Sequence, residues 1–203
     1  EPGKRFGWFP AYAIGWVPSN EKFWKPLSKY ISFLKIRYSD GTVGNDSSGS
    51  RFAYFTQIGE VDREYTTYWW SGKGLAYFNY GYEAQWSKVR KQDLGIDINF
   101  LNDDLSFTFE LFKERRTNIF VTRNNVPILA GFAQSISANM GIVENKGYEI
   151  QFQYNHQFGK DWFVSLHGNM TWNKDKIIEN AQATPAYPWL DQRGHNVLSS
   201  LGY

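Results

Sequence analysis

The chain has 203 residues, 42% of them hydrophobic, with 16 Phe, 13 Tyr and 9 Trp, no cysteine, and 22 basic against 20 acidic side chains for a net charge of +2. Such apolar content excludes a disordered tail, the balanced charge leaves no electrostatic footprint for nucleic acid, and the missing thiols exclude a disulfide framework or a thiolate metal site. No run of about 18 apolar residues is present, which excludes a helical membrane span, but a mean hydropathy of −0.52 leaves a β-barrel open, since only the lipid-facing half of each barrel strand must be apolar.

The first strand is predicted over 11 to 17, with Tyr12, Ile14 and Trp16 on one face. Pro10 precedes it, where a missing donor does little harm. Residues 33 to 39 set Leu34, Ile36 and Tyr38 against Lys35, Arg37 and Ser39. The glycine-rich run from Gly41 to Ser50 lacks the lysine of a phosphate-binding loop and precedes no helical pattern, so it reads as a strand exit into a long loop reaching about Lys91. Residues 93 to 100 turn Leu94, Ile96, Ile98 and Phe100 away from Asp97 and Asn99. After a short turn at Leu101 to Asp103, residues 104 to 112 set Leu105, Phe107, Phe109 and Leu111 against Ser106, Thr108 and Glu110. The cluster Asn102-Asp103-Asp104 suits the backbone of that turn and needs no calcium. A long segment from Lys113 to Lys146 leads to the clearest pattern. From Gly147 to Phe158, aromatic and aliphatic residues hold the even positions and Glu149, Gln151, Gln153, Asn155 and Gln157 the odd ones. After Gly159-Lys160-Asp161 the alternation restarts, with Trp162, Val164, Leu166, Met170 and Trp172 facing away from Ser165, His167, Asn169, Thr171 and Asn173.

Two strands of about ten residues or more joined by a tight turn suit a transmembrane hairpin, whereas soluble strands usually stop near five or six. The fold class expected is all-β, an antiparallel transmembrane β-barrel segment whose six strands pair in chain order. Short turns then face the periplasm and long loops the outside. The connection from Pro18 to Tyr30 is longer than this rule wants and reads as an elaborated periplasmic turn. An Arg or Lys on the lipid face near the midplane costs roughly 2 to 4 kcal/mol, so Lys35, Arg37, Asp97, Glu110 and Glu149 should face the lumen. Trp162, Phe158 and Phe100 are then expected at the inner interface, and Trp172, Tyr148 and Phe112 at the outer one. The competing architecture is a soluble β-sandwich whose apolar face packs on a second sheet.

His156 and His167 fall on opposite faces by parity, which argues against a shared metal. No nucleophile, histidine and acid constellation and no distinct carboxylate pair stands out, so no enzyme, metal or cofactor is expected. Chemistry concentrates instead in loop aromatics: Tyr65, Tyr68, Trp69, Trp70, Tyr77, Phe78, Tyr80, Tyr82 and Trp86, then Tyr187 and Trp189. Sugar rings stack on such side chains and peptides dock on them, although large loops also bury aromatics to stay folded. Trp69, Trp70, Tyr68, Tyr77 and Trp189 are the candidate contact residues.

Several segments, in order, resemble one family. They are Phe9-Pro-Ala-Tyr-Ala-Ile-Gly-Trp16, Leu34-Lys-Ile-Arg-Tyr-Ser-Asp-Gly-Thr-Val-Gly-Asn45, Leu94-Gly-Ile-Asp-Ile-Asn-Phe100, Asn139-Met-Gly-Ile-Val-Glu-Asn-Lys-Gly-Tyr-Glu149 and Asn169-Met-Thr-Trp-Asn-Lys-Asp-Lys176, with the stretch from Gly194 to Tyr203. Together they look like the SusC/RagA family of TonB-dependent outer-membrane transporters. Asp40 departs from the aromatic residue more usual before that glycine, and Tyr82-Glu83 stands near the place of a Trp-Glu pair. The resemblance implies a barrel of about 22 strands around a plug. It implies active import of an oligosaccharide or peptide in the outer membrane of a Bacteroidetes-like Gram-negative cell, with outer-membrane lipid around it. It also implies a SusD-like surface lipoprotein as lid and TonB engaging an N-terminal part outside this chain. Residues 1 to 203 are expected to be a partial barrel domain, with the plug and final strands elsewhere on a longer polypeptide. A passive porin and a soluble carbohydrate-binding sandwich are the alternatives.

Overall fold

The computed structural model describes residues 6–46, 55–62, 69–70, 73–79, 85–126 and 136–199. Six strands form one antiparallel sheet in chain order: β1 (Ala11–Trp16), β2 (Ile31–Asn45), β6 (Ser87–Phe100), β7 (Leu105–Thr122), β8 (Ser137–Phe158) and β9 (Trp162–Glu179). Between β2 and β6 a separate three-stranded sheet is built from β3 (Gln57–Asp62), β4 (Trp69–Trp70) and β5 (Lys73–Asn79), in the order β3, β5, β4. The sheet of six is open, with β1 and β9 at its ends.

The register bears out the expected pairing and parity. One row of directly opposed residues crosses the sheet as Ile14, Tyr38, Leu94, Leu111, Tyr148 and Trp172. The next row on that face, toward the short turns, reads Trp16, Ile36, Ile96, Phe109, Ile150 and Met170. Rings meet across the strands: Tyr148 stacks on Trp172 at 5.6 Å in the first row, and one row beyond the second Phe107 lies 6.2 Å from Phe152. Gly168 is required where Phe152 crosses it, because a Cβ there would sit 2.5 Å from the ring. Among the described residues no second layer covers this face. Trp162 is 74% exposed, Ile14 69% and Met170 51%. A sandwich would bury these side chains, so the single sheet with its bare apolar face corrects that alternative.

From Trp162 to Trp172 is about 33 Å along the strand, or about 23 Å across a bilayer at a tilt near 45°, close to an apolar band of about 25 Å. The same stretch therefore serves as the membrane-crossing part of β9. Phe112, expected on the outer aromatic belt, is instead on the lumen side. It pairs with Gly147, and a Cβ on that glycine would touch its ring at 2.6 Å, while its neighbour Leu111 pairs with Tyr148 on the lipid side. Odd residues face outward in β7, so an even one cannot.

The ends of the strands differ in kind. Gly159 takes a left-handed φ of 65° in the turn before β9, and Leu101, Asn102 and Asp103 take three consecutive left-handed conformations between β6 and β7. Asp103 accepts hydrogen bonds from Ser32 at 2.7 Å and Asn99 at 2.9 Å, which tie this turn to β2 and hold its carboxyl below the usual range. The connection from Pro18 to Tyr30 is folded: two 3₁₀ turns, Pro18–Asn20 and Lys22–Trp24, bury Trp24, whose indole donates to the Ile31 carbonyl at 3.1 Å. At the opposite end the strands run further than the alternation suggests. β2 continues to Asn45, β6 starts at Ser87, and β7 and β8 occupy much of the segment expected as loop between Lys113 and Lys146.

Candidate functional site

The lumen face carries a charge cluster spanning three strands. Arg37 on β2 lies directly opposite Gly95 on β6, and Gly95 opposite Glu110 on β7. With no side chain at Gly95, the guanidinium passes over β6 and bonds Glu110. A Cβ at that glycine would come within 2.5 Å of Arg37 Cζ. Arg37 also reaches Asp97 at 3.4 Å and Asp93 at 3.8 Å, and Thr108 donates to Asp97 at 3.0 Å. Three carboxylates thus surround one cation on the wall where sequence parity places Arg37, Asp97 and Glu110. Such a surface prefers hydrated or polar solutes over apolar ones.

Of the candidate contact residues, Trp69, Trp70, Tyr77 and Trp189 lie in connections that leave the strand ends opposite the short turns. Trp69 and Trp70 are the two residues of β4, opposite Gly74 and Lys73, and Tyr77 on β5 is opposite Ile58. Tyr68, like Tyr65, Tyr80 and Tyr82, lies outside the described residues. Trp86 meets Phe9 edge-on at 5.5 Å.

Trp189 is the candidate whose surroundings are most fully defined. It lies in a 3₁₀ turn, Pro188–Leu190, and its ring stacks on Tyr187 at 4.7 Å with planes 10° apart. Both rings are more than half exposed, Tyr187 at 52% and Trp189 at 56%. A polar net beneath them fixes the turn. Asp191 accepts from the Arg193 guanidinium at 2.8 Å, the Arg193 amide at 2.9 Å and the Gln182 side chain at 2.8 Å, while Asn180 donates to Gln192 at 2.7 Å. The Arg193 bonds hold the Asp191 carboxyl below the ordinary carboxylate range. The loop then returns to β9, where Gly194 and His195 exchange backbone bonds with Ile177 at 2.7 and 2.9 Å. An exposed, stacked and braced ring pair has the chemistry on which a sugar ring or an apolar side chain can stack.

His156 and His167 project to opposite faces, as parity requires, since His156 pairs with Val164 and His167 with Gln153. His156 Nδ1 lies 2.6 Å from Asp104 on the neighbouring hairpin, and its ring meets Phe158 edge-on at 4.4 Å. Sequence reasoning missed a polar group on the lipid side. Asp40 is 4% exposed, although its parity turns it outward. Arg90 grips it with bonds of 3.0 and 2.6 Å, Gln92 donates at 2.9 Å, and the Tyr12 hydroxyl lies at 3.3 Å. An outward carboxylate is tolerated at the edge of the apolar band when a partner neutralises it. Outward positions just beyond the apolar row repeatedly hold charged residues, a signal legible in the sequence had the alternation been followed past Leu94, Leu111 and Tyr148.

Residues 4–197 match the family described as "TonB dependent receptor-like, beta-barrel". The TonB-dependent receptor SusC of Bacteroides thetaiotaomicron is 29% identical over 180 residues, 86% of this chain and 17% of that protein. The TonB-dependent receptor P39 of Formosa agariphila is 30% identical over 209 residues, 98% of this chain and 18% of that protein. In fold the chain is similar to the RagAB peptide transporter, with a TM-score of 0.68 at 22% identity over 89% of this chain and 19% of that one. The chain thus spans under a fifth of the length of these relatives.

Proposed function

Because this chain belongs to the TonB dependent receptor-like β-barrel family, we propose that it forms part of the barrel wall and outer mouth of an importer for a hydrophilic nutrient in a Gram-negative outer membrane. The plug and the closing strands lie on other parts of the polypeptide in this reading. Transport is driven through TonB, and a SusD-like surface lipoprotein closes the mouth. The substrate class is an oligosaccharide or a peptide. SusC and the RagAB peptide transporter are the relatives that suggest this assembly. No step of catalysis enters the reading.

The observation that carries the contact role is the stacked Tyr187–Trp189 pair, more than half exposed on a braced turn at the end away from the short turns. Trp69, Trp70, Tyr68 and Tyr77 belong to the insertion between β2 and β6 at that same end and are proposed as further contacts. In the full-length protein, Tyr187→Ala with Trp189→Ala should lower solute affinity or lid association by about tenfold or more, in line with loss of an aromatic anchor. Trp69→Ala with Trp70→Ala is the parallel test, and insertion should be unchanged in both. Wild-type binding and uptake at normal surface levels would remove the contact role. Uptake that persists without TonB would point to a passive channel.

A further inference from the structure

Just beyond the row of Leu111, Tyr148 and Trp172, about 7 Å further along the strands, the outward face changes character. The next row on β7, β8 and β9 is Lys113, Lys146 and Lys174, each directly opposite the next. The row after that is Arg115, Glu144 and Lys176. All five cations are exposed. Glu144 is the one carboxylate among these six, and Lys113 reaches it at 3.5 Å. Like charges facing one another across strands repel, and this row places three lysines side by side. Bringing an anion among them removes that penalty. Directly below lies the bare apolar face, which acyl chains would cover.

We infer that this belt binds the phosphorylated head group of an anionic glycolipid of the outer leaflet, the lipid chains lying on the apolar rows and the phosphates on Lys113, Lys146 and Lys174. A soluble phosphate would make only the upper half of these contacts, and a protein partner would have to displace lipid from the rows beneath. The inference rests on the reading of the apolar face as lipid-facing. Each lysine near an anionic surface contributes roughly a several-fold gain, so three together amount to on the order of 100-fold.

The test uses the full-length protein in detergent, with bisphosphorylated lipid A and the same lipid stripped of phosphate as probes. The native protein should bind the phosphorylated form on the order of 100-fold more tightly, with the difference shrinking as salt is raised. The variant Lys113→Gln, Lys146→Gln, Lys174→Gln should lose that preference while still binding the dephosphorylated lipid. Equal affinity of the native protein for the two lipids overturns the proposal without any variant, even if the triple substitution fails to insert. Full displacement of the lipid by millimolar inorganic phosphate also overturns it, in favour of a soluble anion site. If neither lipid binds and the native barrel needs no detergent, it is the lipid-facing reading itself that has failed.

Discussion

Single residues on the lumen face depend on what their cross-strand neighbours leave open. Arg37 bonds Glu110 only because Gly95 between them has no side chain. Gly95→Ala should therefore destabilise the barrel by about 1–3 kcal/mol through crowding. Adding Arg37→Ala should cancel much of that loss, a coupling readable in a double-mutant cycle of unfolding midpoints. Additive losses would show that the guanidinium does not need the gap. Asp191 shows how a braced loop responds to pH. Its folded carboxyl lies below the unfolded value of about 3.9, so the bonds to Arg193 and Gln182 contribute fully above that pH and are lost as pH falls through the folded value. Protection of the Gln192 and Arg193 amides, their exchange rates taken relative to the intrinsic rate at each pH, should be high at neutral pH and fall on strong acidification. Asp191→Asn should show the lower protection already at pH 7.

Within an element, alternation decides what each position tolerates. On β8, Ile150 lies on the lipid side between Phe109 and Met170, and Gln151 on the lumen side between Thr108 and Asn169. Ile150→Lys should cost roughly 2 to 4 kcal/mol of barrel stability, and Gln151→Lys far less. Equal effects in urea unfolding from lipid vesicles would mean the two faces are not lipid and lumen. The same logic explains why the strands outrun their sequence signal. Past Leu111 and Tyr148 both faces are wet, so side chains such as Lys113, Glu114, Arg115 and Arg116 no longer alternate between apolar and polar. The backbone ladder nevertheless continues, with Arg115 opposite Glu144 and Arg116 opposite Val143. Main-chain bonding carries no side-chain period, and sequence reading ended these strands early for that reason.

Among the described residues the main sheet is open, with no strand paired beyond β1 or β9, backbone bonds from Ile177 of β9 to Gly194 and His195, and an apolar face of exposed large side chains. Unpaired edges and a continuous apolar face both drive self-association in water. Expressed as this polypeptide alone, it should precipitate or form broad aggregates in plain buffer and disperse in detergent, with strand content by circular dichroism. A monodisperse monomer melting cooperatively without detergent would contradict the barrel reading, whatever the family match.

For the six strands of the main sheet, identity, neighbour order and, Phe112 apart, face were legible in the sequence, whereas β3, β4 and β5 fall in the stretch read as a loop. Period-two alternation is a local property, and a slip of one residue would move every side chain of a strand to the wrong medium. Resemblance to the SusC/RagA family was legible too, and it led to the family that residues 4–197 match. Trp189 was legible as a candidate but not as half of a stacked pair, because its brace comes from Asp191, Arg193, Gln182 and Asn180 acting together. Tertiary structure alone decided which residues stand side by side across strands: Arg37 with Glu110, 73 positions apart, Asp40 with Arg90, 50 apart, and Lys113 with Lys146 and Lys174. Those neighbours follow from hydrogen-bond registers, for Asp40 with Arg90 and Lys113 with Lys146 between segments separated by long insertions, and a register is a property of two strands at once, so neither strand's own sequence contains it.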